Sequence, residues 1–244
     1  MATTRLDRWT RVLSWAAALS LVGLLLMIFF FSPTERTMGN VYRILYFHVG
    51  VAWVGALTLF VALVAGIFYL RRRDPRWDTI SLASIEIGLV FVTMTIVSGS
   101  VWARPAWNTW WIWDVRLTSI TVLWLVYAAY FMLRGAVEDD EKRRRFAAVY
   151  AIFAFVTVLM TYLSIRFLRS IHPVVVGGVA ESATGLTEGE SEFASGVAWK
   201  MGVTMAVSTV SFTLVYVSWL LNRIRLQQMI EEVAQLKNRL LARL

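Results

Sequence analysis

The 244-residue chain contains no cysteine. This absence excludes disulfide bonds, CxxC redox chemistry, thiolate zinc sites and covalent attachment of a haem through a CxxCH motif. Histidine is almost as scarce, with two residues in the whole chain, and charged residues make up only 16%. The side chains that could carry chemistry are therefore few.

Motifs of nucleotide hydrolysis and of common hydrolases are missing as well. The sequence has no GxxxxGK[ST] loop, so the chain carries no P-loop ATPase of its own. Neither a Ser/His/Asp set nor a paired-carboxylate site is apparent. We expect a binding or transport subunit rather than an enzyme.

What the chain has in abundance is apolar sequence. Hydrophobic residues make up 58% and the mean hydropathy is +0.62, whereas a soluble domain is nearer half apolar and a quarter charged. Spanning a bilayer takes about 20 apolar residues in a helix. The hydropathy predicts an all-α integral membrane protein with six transmembrane helices, near residues 12–31, 46–70, 79–98, 117–133, 146–167 and 197–221.

The formal net charge of +8 could suggest nucleic acid as a partner. However, the arginines cluster between the apolar runs, which is how a multi-pass protein displays its basic loops, so membrane lipid is the expected partner and nucleic acid is not. The positive-inside rule then predicts both termini in the cytoplasm, and we expect a plasma (inner) membrane location. The segments between helices 3 and 4 and at residues 168–196 fall on the outer, periplasmic side.

We divide the chain into a six-helix membrane domain at residues 1–222 and a cytoplasmic amphipathic helical tail at residues 223–244. The tail carries a heptad-like apolar stripe, formed by Leu226, Met229, Val233, Leu236 and Leu240. This stripe fits either a helix on the membrane surface or docking to a partner subunit.

A tryptophan-rich segment at residues 99–118 separates helices 3 and 4. Five of the 12 tryptophans lie here, at positions Trp102, Trp107, Trp110, Trp111 and Trp113. An aromatic belt at the headgroups explains scattered tryptophans, but it explains this cluster poorly. In a helix, Trp107, Trp110, Trp111 and Asp114 would share one face and could form a platform for a planar ligand.

The charged residues at this outer side have two interpretations. Asp114 could cap the fourth helix, because an acidic residue is favourable at a helix N-terminus. Alternatively, Arg116, Arg104 or Arg43 could bind ligand carboxylates, since guanidinium groups bind carboxylates in bidentate fashion.

The two histidines, His48 and His172, fall on the same predicted face as the tryptophan-rich segment. Imidazole binds iron, zinc and copper, but two histidines are too few for a zinc site of three or four protein ligands. Haem iron needs only axial ligands from the protein. The pair therefore fits a bis-histidine haem, which would be held non-covalently because the chain has no cysteine.

The run "GSVWARPAWNTWWIWDVRLTS" resembles the tryptophan-rich WWD signature of haem-handling proteins of cytochrome c maturation. Six spans, the chain length and one histidine on each side of this run resemble the haem exporter protein C family (CcmC) in particular. The tryptophans common around the second histidine in that family are missing here, where the chain reads "RFLRSIHP".

The resemblance implies that haem b is bound with His48 and His172 as axial iron ligands. It places the haem-presenting surface at Trp102, Trp107, Trp110, Trp111, Trp113 and Asp114. It also implies partners: the ABC-type subunits CcmA and CcmB, the small membrane subunit CcmD, and the periplasmic haem chaperone CcmE, onto which the haem is loaded.

Two other functions remain open from the residues alone. Glu86 lies inside the third span, and an intramembrane carboxylate is a functional candidate by default, which would suit an ion- or proton-coupled transporter subunit. Glu86 could instead pair with an arginine or a neighbouring helix. The other alternative is a purely structural subunit of an ABC export complex, which would bind no haem.

Overall fold

The computed structural model of the chain describes residues 2–35, 38–167, 172 and 188–241. Over these residues the chain forms long helices joined by short connections. The helices are α1 Ala2–Leu26, extended by a π-helical turn at Met27–Phe31, then α2 Arg43–Arg72, α3 Pro75–Trp107, α4 Val115–Ala136, α5 Asp140–Phe167 and α6 Glu188–Leu241. A short 3-10 turn at Asn40–Tyr42 precedes α2.

Six of these helical segments are long and apolar enough to cross a membrane, which confirms the predicted all-α, six-helix fold. Several are longer than the hydropathy indicated. Helix α3 runs to Trp107 instead of residue 98, and α6 continues without a break to Leu241. Hydropathy marks only the apolar centre of a span, whereas the helix continues into the polar residues that flank it. Much of the predicted outer segment 168–196 lies outside the described residues.

The helix ends define two ends of the bundle. Helices α2 and α4 begin, and α3 and α5 end, at one end, which we call the histidine end because His48 lies there in the second turn of α2. The opposite end holds the tight turn between α2 and α3. There Asp74 caps α3 by accepting a hydrogen bond from the Arg76 backbone N–H at 3.0 Å, next to Pro75 at the first helical position.

Close helix packing depends on two glycines. A Cβ added to Gly50 of α2 would lie 2.6 Å from the Phe212 ring of α6, and one added to Gly88 of α3 would lie 2.5 Å from the Thr58 hydroxyl of α2. Small residues let helix backbones approach in membranes, where dispersion contacts drive association. Helix α2 thereby packs tightly against both α3 and α6, and it also contacts α5.

Ion pairs join the helices at and towards the opposite end. The Arg134 guanidinium of α4 binds the Asp78 carboxylate of α3 through two hydrogen bonds of 2.7 and 3.0 Å, and Arg144 of α5 lies 3.8 Å from the same carboxylate. Glu86 of α3 is held by Arg223 of α6 at 2.6 and 2.9 Å. The intramembrane carboxylate is therefore engaged in a helix–helix contact.

We expect loss of Asp78 to destabilise the bundle, because its carboxylate is buried and its partner Arg134 is largely covered, with side-chain exposures of 8% and 12%. Removing one partner of a buried pair costs about 3–5 kcal/mol, since the other charge is left uncompensated. Asp78→Ala should therefore lower the thermal unfolding midpoint in detergent by several degrees.

The matched control is Asp140→Ala, which removes an Asp–Arg pair with Arg143 whose carboxylate is 66% exposed. Exposed pairs contribute about 0–1 kcal/mol, so its midpoint should change little. Equal shifts for the two variants would contradict the assignment of stability to the buried pair.

Candidate functional site

The tryptophan-rich segment is divided between the end of a helix and a non-helical connection. Helix α3 ends at Trp107 because Asn108 adopts the left-handed conformation, with φ 56°. Arg104 of the last turn stabilises this end, as its guanidinium donates to the Asn108 carbonyl at 2.6 Å and to the Asn108 side-chain oxygen at 3.0 Å. The single helix through residues 107–114 that the sequence analysis considered, with the tryptophans on one face, does not form, because α3 ends at Trp107 and α4 begins at Val115.

Asp114 restarts the helical structure at α4. Its carboxylate accepts hydrogen bonds from the backbone N–H groups of Arg116 and Leu117, both at 3.0 Å. This is the N-cap interaction that satisfies otherwise unpaired N–H groups at a helix start. Asp114 therefore caps α4, which is one of the two interpretations that the sequence allowed. Through this cap it holds the backbone of Arg116 in place.

A cavity of about 440 Å³ opens at the histidine end between α2, α3, α4 and α5. Its volume lies within the range of small-molecule and cofactor sites, roughly 300–1,000 Å³. The walls are mostly apolar and reach down to buried side chains deep in the bundle, namely Leu59, Val92, Leu123 and Val158. Such a cavity suits a largely apolar ligand.

Three of the five clustered tryptophans line this cavity: Trp102, Trp107 and Trp111. The Trp102 and Trp107 rings meet edge to face, with centroids 5.2 Å apart. Trp110 and Trp113 do not line the cavity and are 59% and 73% exposed. The cluster thus provides an aromatic wall inside the cavity and two exposed aromatic side chains outside it.

The two histidines come together in the same cavity, although they are far apart in the sequence. Their ring centroids lie 6.4 Å apart, with the planes tilted by 38°. Two imidazoles bound to one metal from opposite sides, through nitrogens at about 2 Å, place their ring centroids roughly 6 Å apart. Within the described part of the chain no group of three or more His, Cys, Asp or Glu residues could hold a metal ion.

Three buried hydrogen-bond donors belong to residues that line the cavity. The indole Nε1 atoms of Trp102 and Trp111 and the Nη1 atom of Arg116 are buried, and none finds an acceptor among the residues that the structure describes. Indole and guanidinium groups can only donate, and a buried donor without a partner is costly. A ligand with acceptor oxygens, above all a carboxylate beside the arginine, would satisfy them.

The other arginines named from the sequence lie elsewhere. Arg104 caps α3 as described above, and Arg43 stacks on the Phe29 ring, 5.3 Å from its centroid. Neither lines the cavity. Arg116 does, and its guanidinium lies 5.7 Å from the centroid of the Tyr162 ring.

Tyr162 of α5 is a cavity residue that the sequence analysis missed. Its hydroxyl donates to the Ala52 carbonyl of α2 at 3.0 Å, and its ring faces Arg116. No local pattern distinguishes this tyrosine from others in apolar spans, because its role depends on three helices meeting. Ser98 and Gly99, which contact His48, were missed for the same reason.

The fold and the site define a multi-pass α-helical membrane protein with a histidine- and tryptophan-lined cavity at one end of its bundle. The family model "Heme exporter protein C" matches residues 2–239, which is nearly the whole chain. The chain therefore belongs to the heme exporter protein C family.

Individual relatives are moderately similar. The chain is 29% identical to the Heme exporter protein C of Rhodobacter capsulatus over 219 residues, covering 88% of this chain and 86% of that protein. It is 31% identical to that of Bradyrhizobium diazoefficiens over 164 residues, covering 66% and 62%. It is 30% identical to that of Escherichia coli K12 over 145 residues, covering 59% of each protein.

Substitutions at Asp114 test whether its cap, rather than its charge, holds the start of α4. Asn and Asp are about equally good N-caps, whereas Ala costs roughly 1 kcal/mol. Asp114→Asn should leave amide hydrogen exchange at residues 115–118 close to wild type, and Asp114→Ala should accelerate it.

Asp74→Ala, which removes the cap of α3 at the opposite end, is the control and should leave exchange at 115–118 unchanged. If Asp114→Asn accelerates exchange as much as Asp114→Ala does, the charge of Asp114 rather than its cap holds the segment.

Proposed function

We propose that this protein binds haem b non-covalently in the cavity at the histidine end and delivers it to a periplasmic haem chaperone for cytochrome c maturation. The single observation that carries the proposal is the pairing of His48 and His172 at 6.4 Å in one cavity. Membership in the heme exporter protein C family supports the same ligand, because the relatives are named for heme export.

Each part of the cavity suits a different part of haem. The imidazoles of His48 and His172 would bind the iron from its two faces. The indole rings of Trp102, Trp107 and Trp111 supply flat apolar surface for the macrocycle. The unpaired N–H groups of Arg116, Trp102 and Trp111 would donate charge-assisted hydrogen bonds to the oxygens of the two propionates.

The exposed side of the tryptophan cluster suits transfer to a second protein. Trp110 and Trp113 lie outside the cavity and are largely exposed, so they would form the surface that the chaperone contacts. We place this surface and the cavity on the periplasmic side of the inner membrane, as the distribution of lysine and arginine predicts. The partners on this proposal are CcmA, CcmB, CcmD and the chaperone CcmE.

The alternatives fit the geometry less well. A proton- or ion-coupled transporter would use an ionisable residue within the span, but Glu86 makes a bidentate ion pair with Arg223 and does not line the cavity. A purely structural subunit needs neither a cavity nor paired histidines. It predicts that the purified protein takes up no haem.

The proposal predicts a six-coordinate, low-spin absorption spectrum when the purified protein is loaded with haem. His48→Ala and His172→Ala should each abolish this spectrum, because each removes one axial ligand. Both variants should also fail to transfer haem to purified CcmE.

Arg43→Gln is the control at the same end of the bundle, since Arg43 lies on the Phe29 ring and does not line the cavity. It should load and transfer haem as the wild type does. An unchanged low-spin spectrum in both histidine variants would exclude these residues as the ligands, and no haem uptake by the wild type would favour the structural subunit.

A second prediction concerns the propionates. Haem dimethyl ester lacks both carboxylates, so the wild type should bind it more weakly than haem. A hydrogen bond to a charged group contributes about 1.5–3 kcal/mol, which corresponds to roughly 10- to 100-fold in affinity. Arg116→Gln should weaken haem binding by about that factor and leave the affinity for the ester nearly unchanged.

Arg43→Gln serves as the matched control, because Arg43 lies outside the cavity. It should keep the full preference for haem over the ester. If Arg116→Gln also keeps that preference, Arg116 does not hold the carboxylates.

A further inference from the structure

His48 has a specific hydrogen-bond partner on the neighbouring helix. Its Nδ1 atom lies 3.0 Å from the Ser98 hydroxyl of α3, and Ser98 is buried. The same hydroxyl lies 2.7 Å from the Met94 carbonyl and 3.2 Å from the Thr95 carbonyl. The hydroxyl therefore stands between backbone acceptors and the imidazole.

This arrangement favours one position for the imidazole proton. A serine hydroxyl has one proton to donate, and a carbonyl oxygen can only accept. The Ser98 hydroxyl lies closer to the Met94 carbonyl, at 2.7 Å, than to Nδ1 of His48, at 3.0 Å, so its proton is best placed towards its own helix, with a lone pair facing the ring. On this assignment the imidazole donates from Nδ1 and keeps its lone pair on Nε2.

The hydrogen bond to Ser98 is the contact that fixes the protonation of the His48 ring. A ligating histidine commonly has its second nitrogen fixed by such a bond, which sets both the tautomer and the ring orientation.

Gly99 fixes the position of the ring from the same helix. A Cβ added at Gly99 would lie 3.0 Å from Cε1 of His48 and 3.6 Å from its Nδ1. The ring thus lies against the backbone of α3, and a larger residue would have to push it away by a few tenths of an ångström. Ser98 and Gly99 together act on the tautomer and on the placement of the imidazole.

We propose that Ser98 and Gly99 are positioning residues that hold His48 as a ready-made iron ligand through Nε2. The tautomer is a property of the chain itself, whereas the effect on haem rests on the proposed function. Ser98 would also strengthen the iron–histidine bond, because a hydrogen bond from Nδ1–H makes the imidazole more basic.

The tautomer can be tested without haem. ¹⁵N-histidine labelling in a His172→Gln background leaves His48 as the single labelled ring, and measurement near pH 8 keeps an ordinary imidazole neutral. The ¹⁵N shifts should identify Nδ1 as protonated and Nε2 as the bare nitrogen. Ser98→Ala should move population to the Nε2–H form, and Ser98→Thr, which keeps a hydroxyl, should restore the wild-type shifts.

Ser100→Ala is the matched control, because the Ser100 hydroxyl makes the same bond to its own helix, to the Ile96 carbonyl at 3.0 Å. It should leave the His48 shifts unchanged. A protonated Nε2 in the wild type, or shifts that do not respond to Ser98→Ala, would overturn the inference whether or not the protein binds haem.

The haem-loaded protein provides the second test. Loss of such a hydrogen bond to a metal-ligating histidine typically costs about 10- to 100-fold in metal affinity, so Ser98→Ala should weaken haem binding by about that factor and raise the midpoint potential. Gly99→Ala should weaken binding too, whereas Gly202→Ala, where an added Cβ meets open space, should not.

If the shifts are as expected but the wild type binds no haem, the proposed function fails and the tautomer assignment stands. Unchanged affinity and potential in haem-loaded Ser98→Ala would overturn the positioning role.

Discussion

Polar groups inside a bilayer have no water to bind, so each must find a partner within the protein or be left at a cost of several kcal/mol. Most polar side chains in these spans meet that requirement. Serines and threonines bond to carbonyls of their own helices, as Thr95 does to Phe91, and the charged residues pair across helices, as Glu86 does with Arg223. Five buried side-chain atoms lack a partner among the described residues, and three of them belong to residues that line the cavity beside the histidines. Most of the buried polar atoms without a partner therefore lie near the cavity, where a ligand could accept hydrogen bonds from them.

Helix α2 links the packing of the bundle to the site. It meets α6 at Gly50 and α3 at the contact between Gly88 and Thr58, and it carries His48 less than one turn from Gly50. The position of His48 relative to Ser98 and Gly99 therefore depends on how closely α2 and α3 pack. A site built on rigid helices in this way holds its ligating side chain more precisely than a loop would.

The fold was predictable from hydropathy because an apolar run of about 20 residues has few structures open to it other than a spanning helix. The topology of six spans also placed His48 and His172 at the same end, without any knowledge of their contacts. What the sequence could not predict depends on tertiary structure. The end of α3 at Asn108 is an exception, since it depends on a local cap that competes with a helical tryptophan pattern, whereas the cap at Asp114 was one of the alternatives that the sequence raised. The partners Ser98 of His48 and Tyr162 of Arg116 come from other helices. Proximity in the sequence could not show that Arg116, rather than Arg104 or Arg43, lines the cavity.

Binding of one haem iron between His48 and His172 is tested most directly by a structure of the haem-loaded protein in lipid or detergent, with the iron located by its density or its anomalous scattering. We expect iron bonded to a nitrogen of each imidazole at about 2 Å, with Nε2 as the nitrogen of His48 and the propionates directed at Arg116. Iron bonded to neither histidine, or a haem lying outside the cavity, would contradict this expectation.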